Sequence, residues 1–389
     1  MKYNQLNESF LDGYIRYQET TKILLYKDNE LTEKEVEFID DWNQKKLIEI
    51  SRDLKKCIKD GGVVYAAYDQ KRVVGFTNLY NDVFFGKYIN VPYLHTCRGY
   101  RSYGIGRYLL NLISVEAQRL GAKKLYISSH SSIESQEFYK RTGCVLTEEI
   151  NQKLLDEEPY DIQLEKVINL PIALEELCRY EFKAYGKVNA SIIGKVASKL
   201  FRYLPKNDMQ FIDVIEHFIS IKGQYGFFSV ATLWIKKNKT IINQVNFDRF
   251  ENILLEHIKG WGQVDQYCYR CLNPFLEYNN ENYKSLVRWS NSQNKDVRRA
   301  SLVSMIVSSN RQYLELDYEK MISIVDKLKD DEDFHVRKAV GWVLKCAYIK
   351  YPSLVERYLR DNVRNLDRMI FRYALEHVLE PLRNELINL

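Results

Sequence analysis

Arg101-Ser-Tyr-Gly-Ile-Gly106 stands between a short apolar stretch, Tyr88 to Cys97, and an amphipathic one, Arg107 to Leu120. In the latter, Leu109, Leu110, Leu112, Ile113, Val115, Ala117 and Leu120 fall mostly on one helical face. A strand, a glycine turn and a helix start in that order build an anion cradle. Glycine tolerates dihedrals that a Cβ forbids and lets a ligand approach the backbone. The first helical turn adds unpaired N–H groups and the positive end of the helix dipole. A pyrophosphate suits such a cradle. A purely structural Gly-x-Gly turn is the other reading of the same residues.

Two phosphate motifs are excluded. A dinucleotide fingerprint needs a third glycine where Leu109 stands, and the Gly-Lys-Ser/Thr of a phosphate-binding loop is absent. What remains resembles Arg/Gln-x-x-Gly-x-Gly/Ala, the coenzyme loop of the GNAT N-acetyltransferases. Ser135-Gln-Glu-Phe-Tyr-Lys-Arg-Thr-Gly143, about 35 residues on, resembles that family's second signature. The resemblance implies an α+β domain over 1–166, a mixed sheet with flanking helices. It implies that acetyl-CoA, as acyl donor, is attacked directly by the amine of a small molecule or protein. Arg101, Ser102, Gly104, Ile105 and Gly106 would hold the pyrophosphate, mostly through backbone N–H. The backbone of Leu94 and Thr96 would pair with the pantetheine arm, and Ser132 would add a small polar contact. Tyr139 would protonate the leaving thiolate; by its residues alone it also reads as a packed aromatic. His95 reads either as the general base or as a structural histidine, so the base stays open.

Around this stretch the chain alternates strands and helices. Residues 1–60 read as a first strand and two or three helices, one starting at Thr32 with Glu35 completing a capping box. Lys46 to Ile58 is an amphipathic helix closed by Gly61-Gly62. Val63–Tyr68 and Val73–Leu79 form a hairpin. Lys123–Ser129 is a strand, Ser132–Thr142 a helix, and Cys144–Glu149 and Tyr160–Lys166 close one mixed sheet.

A linker, 167–171, contains Leu170-Pro171. Beyond it, 172–389 shows only helical periodicity in segments such as Ile192–Leu204, Phe211–Ile221, Phe247–Ile258, Val297–Val307, Val336–Ala347 and Met369–Leu379. Paired helices repeating at about 35–45 residues predict an all-α, HEAT-like solenoid. Three places carry chemistry: Trp261-x-x-x-Asp265, Arg298-Arg299 at a helix start, and Arg337-Lys-Ala-Val-Gly-Trp342. Together they resemble the AlkD-like DNA alkylation repair glycosylases, which excise N3- and N7-alkylpurines. The resemblance implies that Trp261 and Trp342 flank a lesion, that Asp265 is catalytic, and that Arg298 or Arg299 holds the backbone of duplex DNA. A carboxylate there would stabilise the cationic sugar left by base loss. The alternative is a non-catalytic scaffold for nucleic acid or protein, its tryptophans simply core.

Composition bounds both readings. Of 389 residues, 46% are hydrophobic and 28% charged, the balance of a globular protein of two domains. Residues 1–170 hold 24 Lys/Arg against 25 Asp/Glu, a net of −1; residues 171–389 hold 33 against 27, a net of +6. The modest basic excess of the second half is compatible with a polyanion partner, and solubility is the other reading. Seven scattered cysteines read as free thiols of a cytoplasmic protein, Cys268-x-x-Cys271 included, and no metal site is expected. The N-terminus lacks a signal-peptide core and no apolar run is long enough for a membrane span.

Overall fold

The computed structural model describes residues 2–3, 9–27, 30–307, 313–314 and 317–388, so the reading of 4–8 lies outside them. The chain forms two compact units, residues 1–187 with 202–205, and residues 188–201 with 206–389.

The first unit begins with β1 (Lys2–Tyr3), β2 (Tyr17–Lys27), β3 (Glu30–Asp41), α1 (Gln44–Lys59), β4 (Val63–Asp69) and β5 (Arg72–Leu79). Then come β6 (Val83–Phe84), β7 (Tyr88–Asn90), β8 (Leu94–Thr96), α2 (Ile105–Arg119), β9 (Lys124–Ser129) and α3 (Ile133–Arg141). It closes with β10 (Val145–Leu146), α4 (Gln152–Glu157), β11 (Ile162–Val167) and α5 (Leu170–Tyr185). Asn43 caps α1 by accepting from the amide of Lys46, and Leu47, Ile50, Leu54 and Cys57 form the helix's buried stripe. That stripe packs with Val64, Ala66, Val73 and Phe76 of the β4–β5 hairpin.

Three expectations are corrected here. The helix expected at Thr32 is a strand: Thr32 lies opposite Leu25 and Glu35 opposite Lys22 in the β2–β3 ribbon. Side chains of β3 are exposed on both faces, so its spacing carries no burial signal, and pairing with the β-branched and aromatic β2 decides its conformation. The single sheet is two sheets, ordered β1-β4-β5-β8 and β10-β11-β9-β7-β6. The Tyr88–Cys97 strand breaks between them: β7 runs parallel to β9, and β8 runs antiparallel to β5. Val91-Pro92-Tyr93 is where the strand changes partners, and there the sheets part. Finally, α2 is buried on all sides from Leu109 to Ala117, because α5 covers the face that the sheet leaves open. Tyr108 donates to Glu181 of α5 at 2.7 Å.

The second unit is mostly helical: α6 (Ala190–Phe201), α7 (Asp208–Ser220), α8 (Tyr225–Lys237), α9 (Gln244–His257), α10 (Trp261–Tyr267), α11 (Asn273–Tyr278), α12 (Tyr283–Ser290) and α13 (Lys295–Val303). After these come β12 (Ile306–Val307), β13 (Tyr313–Leu314), α14 (Tyr318–Leu328), α15 (Phe334–Lys350), α16 (Pro352–Asp361), α17 (Arg368–Ala374) and α18 (Leu382–Ile387). The short β12–β13 ribbon interrupts the expected all-helical run, and the helix expected to reach Val307 stops at Val303. Asn207, Asn243, Asn294, Asp333 and Asp367 each cap a helix by accepting a backbone N–H. Most of these caps recur about every 35–40 residues, the period of a helix-pair repeat. Among the described residues no helix is long and apolar enough to cross a membrane.

Candidate functional site

Gly104 adopts φ +82° in front of α2, a left-handed conformation that costs an L side chain about 1–2 kcal/mol. It turns the chain so that α2 starts with its first amides open. Among the described residues, none of the amides of residues 102 to 107 has an acceptor. Ser102 is also left-handed, at φ +67°. Successive amides of this kind make an anion nest. Between this loop and β2 lies a polar cleft of about 230 Å³ lined by Tyr17, Arg98, Arg101 and Glu134. The Arg98 guanidinium sits 4.9 Å over the Tyr17 ring.

The β8 edge completes the cradle. Asn78 N–H donates to Tyr93 and Cys97 N–H to Val74. Alternation along an antiparallel ladder therefore turns the backbone groups of Leu94 and Thr96 away from β5, toward the parting of the sheets. The His95 side chain stands on a face of the sheet, its ring 4.6 Å from that of Trp42 and 5.8 Å from that of Phe76. Burial, with Arg16, Arg101 and His130, pulls its imidazole well below the ordinary histidine range. That is the environment of a neutral, packed ring. Ser132 is fully buried, its hydroxyl accepting from Gln18 at 2.6 Å and bonding Ser135 at 2.9 Å, so it is engaged within the protein.

Tyr139 is 8% exposed on α3. Burial raises its hydroxyl, and Cys144 and Asp161 raise it further. Asp161, in the turn before β11, is a carboxyl that no motif marked. Burial and then the charge of Glu158 push it up to about 7.

In the second unit, Gly260 adopts φ +76° and ψ 150°, a region essentially restricted to glycine, and its amide donates to Asp296 at 2.9 Å. This starts α10 with Trp261 55% exposed, its ring stacked 5.9 Å from His335 of α15. Asp265, one turn on, accepts from Arg299 Nε and Nη2, both at 2.8 Å. Arg299 is 4% exposed and also donates to the His335 carbonyl. Arg298 is bidentate to Asp331 at 2.6 and 3.0 Å and donates to the carbonyls of Ser292 and Gln293. Both arginines, expected at a DNA backbone, thus brace neighbouring helices. Trp342 is partly buried, its ring 5.6 Å from that of Tyr269.

Tyr269 lies in a π-helical turn, Cys268–Leu272, and its buried hydroxyl has no partner among the described residues. Burial, then Asp265, raises it. The spacing 261, 265, 269 repeats every four residues, a signal that could have included Tyr269. His335 carries the same kind of signal, seven residues before Trp342.

All seven cysteines are free and buried. Burial pushes the Cys268 thiol up to about 12 and Cys271 well above its ordinary value, as for packed thiols. Glu216, Glu256 and His257 bring ligand atoms within 4.8 Å of one another, but Arg249 already pairs with Glu216 at 2.8 Å.

The first unit is a GNAT-type mixed-sheet domain and the second an AlkD-like helical one. The GNAT acetyltransferase family matches residues 27–144, and the DNA alkylation repair enzyme family matches residues 173–378. The chain belongs to the DNA alkylation repair enzyme family and carries a GNAT acetyltransferase domain ahead of that match. Among solved structures, a DNA alkylation repair enzyme described as predicted from Enterococcus faecalis is 15% identical, over 50% of this chain and 87% of its own (TM-score 0.43). A putative streptothricin acetyltransferase from Bacillus anthracis str. Ames, in complex with acetyl coenzyme A, is 15% identical over 43% of this chain and 98% of its own (TM-score 0.34). Nourseothricin acetyltransferase gives the same values. No curated protein matches the chain.

Proposed function

We propose that the first unit transfers an acetyl group from acetyl-CoA to an amine. The observation that carries this is the run of open amides at residues 102–107, beside a β8 edge whose Leu94 and Thr96 backbone groups are free to pair. Arg101, Ser102, Gly104, Ile105 and Gly106 would hold the pyrophosphate, and Tyr139 would protonate the departing sulfur. Acetyl-CoA supplies the activated acyl carbon; the protein supplies alignment and proton transfer. Calorimetry with acetyl-CoA tests the reading. Gly104→Val, which places a β-branched side chain at φ +82°, is expected to weaken binding at least about tenfold. Wild-type affinity in that variant would refute the cradle.

We propose that the second unit binds duplex DNA bearing a cationic alkylated purine. Trp261 offers an exposed π-face beside the Asp265 carboxylate, and each oxygen of Asp265 keeps a lone pair beyond its bond to Arg299. Excision of N3- and N7-alkylpurines is the second reading, favoured by that same carboxylate. Release of 7-methylguanine by wild type but not by Asp265→Asn would establish it. No release alongside tight duplex binding would leave the unit a DNA-binding scaffold.

A further inference from the structure

A cavity of about 510 Å³ lies in the first unit, walled by Leu25 and Tyr26 of β2, Leu155 and Asp156 of α4, and Tyr160 and Asp161 of the turn before β11. Among the described residues no lysine or arginine lines it. Asp156 accepts from Gln152 at 2.7 Å, whereas the Asp161 carboxylate has no hydrogen bond or ion pair among the described residues. Burial without a partner penalises the charged form of this carboxylate, and a cation beside it in the cavity would relieve that penalty. Further carboxylate charge surrounds the place. Glu158 acts on Asp161, on His130 of the segment after β9, and on Tyr93 at the parting of β7 and β8. Asp161 in turn acts on Tyr139 of α3. Asp161 thus lines the cavity and lies within electrostatic reach of Tyr139, the expected thiol donor.

We propose that this cavity is the acetyl-acceptor pocket, that it takes a primary ammonium on an apolar or aromatic body, and that Asp161 removes the proton from that ammonium. This rests on the acetyltransferase reading. Asp161 takes one proton, and the freed nitrogen lone pair forms the C–N bond to the acyl carbon. The C–S bond breaks with its electron pair on sulfur. Tyr139 protonates the sulfur and is restored by the proton lost from the acylated nitrogen; Asp161 returns its proton to water. Tyr26 and Tyr160 also line the cavity, and an aromatic ring attracts a cation held over its face. A carboxyl held up to about 7 by burial and Glu158 is matched to accepting a proton near neutral pH.

The test uses the full chain, acetyl-CoA and phenethylamine, with 3-phenylpropionate as the anionic control. Wild type should acetylate phenethylamine with kcat rising through pH 7, and the control should not compete. Asp161→Asn should lower kcat about 100-fold or more and flatten the profile, with acetyl-CoA affinity unchanged. Leu25→Arg, on the strand at the cavity wall, should raise KM for phenethylamine about tenfold or more through like-charge repulsion. Acetyl-CoA binding without acetylation of phenethylamine, or an Asp161→Asn rate within threefold of wild type, overturns the assignment. Failure of wild type to bind acetyl-CoA would instead fail the transferase reading, and this proposal with it.

Discussion

Replacing Arg299 with methionine removes both 2.8 Å bonds to Asp265 and the bond to the His335 carbonyl. The Asp265 side chain is 15% exposed and the Arg299 side chain 5%, so water replaces little of what is lost. Breaking a buried pair from one side leaves an uncompensated charge and costs about 3–5 kcal/mol. Because Asp265 keeps some solvent, the lower end applies, about 3 kcal/mol. In a unit of this size 1 kcal/mol moves Tm by about 2–4 °C, so the expected fall is about 6–12 °C. Thermal unfolding of the full chain, followed by calorimetry, measures it. The double variant Asp265→Asn with Arg299→Met should recover about half the loss, since a neutral amide no longer needs a counter-ion. A fall below about 2 °C in Arg299→Met would refute the picture of a desolvated brace joining α10, α13 and α15. The result also governs any base-release assay, because Asp265→Asn must be judged on its folded fraction.

Asp161 predicts a pH-dependent stability. Its folded pKa of about 7 lies above the ordinary 3.8, so the folded state favours the protonated form. Its contribution is intact below about pH 4 and is lost as pH rises through 7. Asp161→Asn should therefore gain about 1–2 kcal/mol over wild type at pH 8 but not at pH 4, after allowing for solvent screening, and urea unfolding at the two pH values checks this. Trp261→Ala, at an exposed position, should leave Tm within about 1 °C yet weaken binding of alkylated duplex about fivefold or more in fluorescence titration. Trp289→Ala should instead lose about 3–5 kcal/mol of stability, because that ring is 1% exposed and donates to Glu251 at 2.5 Å. Folded protein should show almost no rapid thiol reaction with a disulfide reagent, and all seven thiols should react in denaturant.

By itself the sequence determined what neighbouring residues decide. The Arg101–Gly106 bend, the helix after it, the 63–79 hairpin and the capped helices of the second half each follow from dihedral needs, spacing and local hydrogen bonds. So did the Trp261–Asp265 face. Tertiary structure decided what depends on distant partners. The 30–41 segment became a strand because β2 lies beside it, and the Tyr88–Cys97 stretch broke because its two ends pair with different strands. Arg298 and Arg299 turned inward to carboxylates more than 30 residues away. Asp161 acquired its character chiefly from burial, which no spacing encodes, with Glu158 three residues earlier adding to it. Burial and pairing are sums over residues remote in the chain, whereas turns, caps and helical faces are set within a few residues.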